Sequence, residues 1–144
     1  MARVVRPGGI LGYTHWTAEG FFRDWSALEE RFQTGGSEGS SSPILGTEST
    51  ARAAITRLAS HAEVTRQTLS ISWSSAGSFA DALIEQDPYL LETRRRVAPA
   101  RWPRFADELR RLVDKWNSLP TGGLRIELPY LQVVAQTPAG RRRG

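Results

Sequence analysis

Three stretches of the chain carry apolar side chains at helical spacing. Behind Thr17, a candidate N-cap, large apolar residues recur every three or four positions and predict a helix over residues 18–33. A stripe of small apolar residues predicts a second helix over residues 48–62. A strong aromatic and aliphatic stripe predicts a third over residues 104–117. These helices each present one apolar face, so they are expected to cover a common core.

Two other stretches alternate between apolar and polar residues, the period of a β-strand. They predict strands near 67–74 and 123–135. In the second strand Pro129 removes one ladder hydrogen bond and shifts the apolar phase, which predicts a bulge or turn there. We expect three side chains of the first strand to point to one side and to be buried: Leu69, Ile71 and Trp73.

Capping residues predict two short helices between these strands. Ser78, with Asp81 three residues later, resembles a capping arrangement that opens the first helix. Asp87-Pro88 supplies an N-cap and a proline at the first position of the second. The run 94–96, three arginines, then falls in the last turn of the second helix, where cations favour the negative end of the dipole.

Together these elements predict one α+β domain over residues 1–144, a small sheet packed against amphipathic helices. A Gly/Ser-rich segment at 34–46 reads as a loop, and we expect no regular secondary structure over 35–43. Residues 136–144 read as a basic tail. The pairing of the strands, parallel or antiparallel, stays open at this stage.

Composition narrows the functional classes. With 40% hydrophobic and 24% charged residues among 144, the chain has the make-up of a foldable globular domain. It contains no cysteine, which excludes disulfides, thiolate metal sites and thiol nucleophiles. No apolar run is long enough to cross a bilayer, so no membrane partner is expected. We expect a cytoplasmic protein, or one made in the cytoplasm and incorporated into an assembly such as a virion.

Charge is divided unevenly along the chain. Residues 1–93 carry 7 arginines against 11 acidic residues, a net charge of −4. Residues 94–144 carry 11 arginines and Lys115 against 4 acidic residues, a net charge of +8. Such a division suits head-to-tail packing, in which the acidic half of one copy meets the basic half of the next.

The basic half contains an arginine cluster interleaved with an aromatic residue, which is typical of surfaces that bind a nucleic-acid backbone. The alternative interpretation is a solvated helix face followed by a frayed tail. The candidate contact residues are Arg94, Arg95, Arg96, Arg101, Trp102, Arg104, Arg110, Arg111, Arg141, Arg142 and Arg143.

A helix-turn-helix is a further nucleic-acid hypothesis. The spacing of Ala59, Val64 and Leu69 resembles that motif, with residues 66–68 at the base-reading positions. Two observations oppose it. Glu63 would occupy the tight turn and place a carboxylate near phosphates, and the period-two run after residue 67 would be scattered around a helix.

Catalytic arrangements are weakly supported. Two histidines, His15 and His61, cannot form a three-histidine metal site. A Ser26, His15 and Asp24 set can be written for almost any protein and carries no weight without geometry. The sequence predicts no catalytic residue, no metal and no cofactor.

Two tryptophans, Trp16 and Trp102, lie at element boundaries, where such residues either anchor protein contacts or cover the edge of their own core. No catalytic motif is recognised, net charge is divided unevenly between the two halves of the chain, and these two tryptophans could anchor protein contacts. Together these observations favour a non-enzymatic structural or assembly subunit, for example of a phage virion. Its expected partners are copies of itself and neighbouring proteins. The alternative function is nucleic-acid binding through residues 94–111 and the arginine tail.

Overall fold

The computed structural model describes residues 5–32 and 45–139. The chain is an α+β protein, as its sequence predicts. The strands are β1 (Ile10–Thr17), β2 (Leu45–Gly46), β3 (His61–Trp73) and β4 (Leu124–Gln136). The helices are α1 (Gly20–Phe32), α2 (Glu48–Thr56), α3 (Ala76–Gln86), α4 (Pro88–Arg96) and α5 (Trp102–Trp116), the last preceded by a 3₁₀ turn at Pro99–Arg101. Of the predicted loop at 34–46, residues 34–44 lie outside the described residues, and the prediction is wrong at its end, because Leu45–Gly46 pair with β1 as a short strand. Arg141, Arg142 and Arg143 also lie outside the described residues.

The sheet has the strand order β2-β1-β4-β3. β4 lies between β1 and β3 and is antiparallel to both, whereas the two-residue β2 pairs with β1 in parallel. The predicted pairing of the 67–74 and 123–135 stretches is therefore confirmed. β1 was not predicted, because its adjacent apolar residues and internal Gly12 obscure the alternation. Pairing with β4 specifies this strand more than its own pattern does.

β4 changes its buried face halfway along. Buried positions are Leu124, Ile126 and Leu128 in its first half, and Leu131, Val133 and Ala135 in its second. Because strand side chains alternate, even and odd positions point to opposite faces. The register with β3 runs unbroken through Pro129, which lies opposite Thr68. The predicted bulge or turn is wrong: the apolar phase shifts because the layer that covers the strand changes sides.

Two apolar clusters lie on these opposite faces. The main cluster joins the first half of β4 to buried residues of α1, α3, α4 and α5, among them Phe21, Leu90, Phe105 and Leu109. The second cluster joins the second half of β4 to Val64 of β3 and to Ala51 and Ile55 of α2. One end of the sheet is thus covered by four helices and the other end, on the reverse face, by one.

Helix α1 begins later than predicted. Thr17 is the last residue of β1, and its hydroxyl donates to the Pro129 carbonyl at 3.2 Å instead of capping the helix. Gly20 then opens α1 with a φ of +65°, a left-handed conformation that favours glycine at this tight link. The prediction of a helix at 18–33 is correct in kind and wrong at its N-terminus.

Helix α2 ends six residues before its predicted limit, at Thr56. Thr47 caps its start through a reciprocal capping box with Thr50. The expected continuation to residue 62 is wrong because residues 61 and 62 pair with β4. β3 therefore begins at His61 instead of 67, and the helix-turn-helix hypothesis is contradicted, since its recognition helix is a strand.

The remaining caps fall within a few residues of their predicted places. Ser75, not Ser78, is the N-cap of α3, and its hydroxyl accepts from the Ser78 N–H at 3.1 Å. Asp87 caps α4 as predicted, accepting from the N–H groups of Tyr89 and Leu90. The third predicted helix begins at Trp102 and ends at Trp116.

The burial predicted for β3 is wrong in part. Leu69, Ile71 and Trp73 do lie on one face, but Leu69 and Trp73 are each 46% exposed. Ile71 packs, half-buried, against the main cluster, and the exposed Trp73 ring makes an edge contact with Phe79 of that cluster, with ring centroids 5.6 Å apart. The reason is position, because β3 pairs only with β4 and lies at the edge of the described sheet.

Candidate interaction surfaces

The arginines at the end of α4 are engaged by neighbouring side chains. Arg95 and Arg96 pair with Glu92 at 2.9 and 3.4 Å. The pKa of the Glu92 carboxyl is lowered, chiefly by the hydrogen bond from Arg95. The guanidinium of Arg94 lies 5.4 Å from the centroid of the Trp102 ring, a cation–π distance. The predicted location in the last turn is confirmed, and each of the three guanidinium groups contacts a neighbouring side chain, although Arg95 and Arg96 share one carboxylate.

Arg101 has a structural position at the end of another helix. Its guanidinium donates to the carbonyls of Arg31 at 2.7 Å and Phe32 at 3.3 Å, and lies 5.0 Å from the Phe32 ring centroid. Terminal helix carbonyls lack partners within the helix and favour a cation. Arg101 therefore ties the start of α5 to the end of α1.

Two arginines of α5 also form ion pairs. Arg104 pairs with Glu108 at 3.2 Å, and Arg110 pairs with Asp81 and Asp107 at 2.9 and 3.1 Å. Arg111 is exposed and makes no ion pair within residues 5–32 and 45–139. Four of the seven arginines in residues 94–111 thus form ion pairs within the chain, which leaves fewer free cations for backbone-directed binding of nucleic acid.

The charge division along the sequence does not become a division in space. Arg110 pairs with Asp81, Lys115 with Asp24 at 2.7 Å, and Glu108 with Arg31 at 2.8 Å. Each of these pairs joins the acidic half of the chain to the basic half within one molecule. The electrostatic argument for head-to-tail packing is correspondingly weaker.

A shallow groove of about 470 Å³ runs between α1 and α5. Its charged lining includes Asp24, whose carboxylate accepts three hydrogen bonds. The donors are Lys115 at 2.7 Å, Arg23 at 2.8 Å and the Trp116 indole at 3.0 Å. Burial alone would raise the pKa of Asp24, but these hydrogen bonds together lower it to about 2. A carboxylate held this way is a poor proton acceptor, so Asp24 is unsuited to act as a catalytic base. The lining residues are Asp24, Ala27, Leu28, Arg31, Glu108, Arg111, Leu112 and Lys115.

A buried carboxylate, which the sequence analysis missed, connects α1 to α4. Glu29 is 4% exposed and accepts from the hydroxyls of Tyr89 at 2.8 Å and Thr93 at 2.9 Å. Burial and this carboxylate raise the pKa of the Tyr89 hydroxyl to about 12. The sequence did contain a sign that Glu29 is buried, because it follows Trp25 by four residues and so lies on the apolar face of the helix. Its contacts are those of a structural tie.

The two boundary tryptophans cover the edge of the main cluster. Trp16 is half-buried and stacks on Phe22 with ring centroids 4.5 Å apart. Trp102 is half-buried and stacks on Phe105 at 5.0 Å. Their packing corresponds to the second of the two roles weighed for them, although neither ring is fully enclosed.

The side chains weighed as a catalytic set are otherwise engaged. His15 Nδ1 lies 3.2 Å from the Trp16 carbonyl, and the Asp24 oxygens have the partners described above. Among the residues that the structure describes, no three His, Asp or Glu side chains are grouped to hold a metal ion. Within the same ranges, no helix has the length and apolar character to cross a membrane.

The largest open feature is the outer side of β3. Apolar side chains remain exposed along it, and the segment Gln67–Trp73 bears no charged residue. We call the outer side of Gln67–Trp73 the β3 edge. At the other end of the same sheet face, Ile10 is 73% and Val134 41% exposed, because no element of the described chain covers that end of this face. A strand added beside β3 would place its side chains next to Leu69 and Trp73.

No family model matches this chain, and no curated protein matches it at a significant level. Its function must therefore be argued from these surfaces.

Proposed function

We propose that this chain is a non-enzymatic structural subunit that binds copies of itself and neighbouring proteins in a larger assembly. The observation that carries the proposal is the open β3 strand, whose apolar residues Leu69 and Trp73 are each about half exposed at a sheet edge. An unprotected strand edge is a ready template for pairing with another chain. The kind of assembly, for which a virion is one example, stays a prediction, as does the cytoplasmic origin.

The charged residues support a protein partner more than a nucleic-acid partner. Arg95, Arg96, Arg104 and Arg110 are paired with carboxylates of the same chain. A phosphate backbone would have to displace those carboxylates. A protein partner at the sheet edge would leave every one of these pairs in place.

Sedimentation analysis of the full chain over a wide concentration range, combined with cross-linking in its native source, tests this function. We expect oligomers that grow with concentration, or specific cross-links to neighbouring proteins. A chain that stays monomeric at all concentrations and yields no cross-linked protein would contradict the proposal.

Nucleic-acid binding remains the second candidate function, favoured by one observation. Arg94 lies over Trp102, and a guanidinium beside an aromatic ring can contact both a phosphate and a base. Binding to generic DNA that weakens steeply with salt would support it. No binding at low salt would eliminate it.

A further inference from the structure

The β3 edge has no strand partner on its outer side. β3 is joined to β4 from His61 to Trp73 in one continuous register, and no other strand of the described residues pairs with it. Among the described residues, Arg52 is the one side chain that donates a hydrogen bond to a β3 carbonyl. Its acceptor is the carbonyl of Val64, at 3.4 Å, and Val64 does not belong to Gln67–Trp73. No residue of 5–32 or 45–139 therefore pairs with the backbone groups that project outward from Gln67–Trp73.

None of the usual protections of an edge strand is present in this segment. Gln67–Trp73 contains no proline, glycine or charged residue, and its unbroken register with β4 excludes a bulge. Natural proteins protect exposed edges with such features, especially with lysine. Their absence along seven consecutive residues is expected of a strand that acquires a partner.

The side-chain pattern of residues 68–72 is symmetric about Ser70, whereas Gln67 and Trp73 at the two ends of the segment do not match each other. Leu69 and Ile71 are the apolar residues on either side of it, and Thr68 and Ser72 are the hydroxyl residues beyond them. An antiparallel pair of identical strands with its twofold axis at Ser70 places residue 69 opposite residue 71, and residue 68 opposite residue 72. Apolar then meets apolar on one face, and hydroxyl meets hydroxyl on the other.

We infer that the β3 edge pairs with the β3 edge of a second copy of this chain, about a twofold axis near Ser70. This inference rests on the proposed assembly function and specifies its first contact. Main-chain hydrogen bonds supply the affinity, and the Leu69–Ile71 contacts cover apolar surface left open in one copy. The result is one continuous eight-stranded sheet across the two copies. A symmetric segment fits its own copy, whereas an unrelated extended peptide would gain nothing from that symmetry.

A charge-exchange experiment tests the pairing in the full chain. The variant T68K/S72K places two pairs of lysines opposite each other across the axis, and T68E/S72E does the same with glutamates. Both positions are exposed, but Ser72 lies opposite Arg125 of β4, so thermal denaturation of each variant must first show that its fold is retained. We expect each variant alone to raise the dimer dissociation constant at least tenfold, about 1.4 kcal/mol. An equimolar mixture should form heterodimers, detected by native mass spectrometry, because each lysine then meets a glutamate.

The control variant A53K/Q86K adds the same charge at exposed helical positions away from the β3 edge. It should associate like the wild type. If the wild type dimerises and T68K/S72K dimerises equally well, the β3 pairing is wrong while the assembly function stands. Dimers lost in both charge variants but not restored by mixing would equally overturn the symmetric register. A monomeric wild type also overturns it, and cross-links to other proteins would then decide the assembly function separately.

Discussion

The two halves of β4 belong to one unbroken strand and yet are buried on opposite faces. The first half, Leu124–Leu128, lies beneath helices α1, α3 and α5, whereas the second half, 131–135, lies against α2 alone. Each half leaves its other face open, so the sheet exposes side chains at both ends. The comparison shows that burial in this protein is decided by which helix crosses which end of the sheet.

We call the first half of β4, which several helices cover, the thicker half, and the second half, which α2 covers, the thinner half. The largest loss of stability is expected from Leu124→Ala in the thicker half. This side chain is fully buried in the main cluster, where several helices hold their positions and cannot close around a cavity. We expect a loss of about 4 to 5 kcal/mol in the free energy of unfolding, the upper end for such changes. Chemical denaturation monitored by tryptophan fluorescence measures it; a loss below about 2 kcal/mol would show that the site relaxes freely.

Leu131→Ala is the matched change in the thinner half, at a side chain of nearly equal burial. Only α2 covers this cluster, so the nine-residue helix can move toward the strand and fill part of the cavity. We expect a loss of about 2 to 3 kcal/mol. Denaturation under the same conditions gives the difference, and equal losses in the two variants would contradict the contrast between the halves.

The tie between α1 and α4 sharpens the comparison, because it lies only above the thicker half. In Glu29→Gln the side-chain amide nitrogen cannot accept a hydroxyl hydrogen bond, so one of the bonds from Tyr89 and Thr93 must be lost or reversed. We expect destabilisation of about 1 to 3 kcal/mol. A thermal shift within error of the wild type would show that the carboxylate is not needed there.

The Asp24 cluster gives a smaller effect with a defined pH dependence. Its pKa is lowered from 3.8 to about 2, below the unfolded value, so its bonds stabilise the fold fully above about pH 4. This contribution is lost as the pH falls from 3.8 toward 2. Asp24→Asn should cost about 1 to 2 kcal/mol at neutral pH and reduce the acid dependence of stability, as measured by denaturation between pH 2 and about 7. Asp114→Asn, at an exposed position on α5, is the control and should leave that dependence unchanged.

The smallest effect for each substituted residue is expected from R94S/R95S/R96S at the exposed end of α4. These arginines contribute about 0.3 to 1 kcal/mol each through the helix dipole, so the fold should stay nearly intact. Sedimentation at low and high salt then reports on association. Weaker association of this variant would add α4 to the interface, whereas unchanged association would leave the β3 edge as the main contact.

Local patterns in the sequence predicted the helices and strands with the clearest chemistry. The cap at Asp87, the stripe of α5 and the alternation around Leu69 depend on neighbours in sequence. The exposure of Leu69 depends on β3 being an edge strand, which no local pattern encodes. β1 was missed for the same reason, since its partner lies more than a hundred residues away.

The candidate site followed the same rule. Clustered arginines were visible in the sequence, and so were acidic residues three or four positions away such as Glu92, but Asp81, which pairs with Arg110, comes from another helix. Local charge therefore overestimated the basic surface. The symmetric pattern about Ser70 was present in the sequence and gained meaning only when the strand was found at an edge.

Hydrogen exchange of the wild-type chain, measured at low and high protein concentration, tests the central claim most directly. If copies pair through the β3 edge, the outward-facing amides of Gln67–Trp73 should become protected as concentration rises, while α2 amides exchange at a constant rate. Protection confined to the arginines of α4, or exchange in Gln67–Trp73 that does not change with concentration, would contradict it.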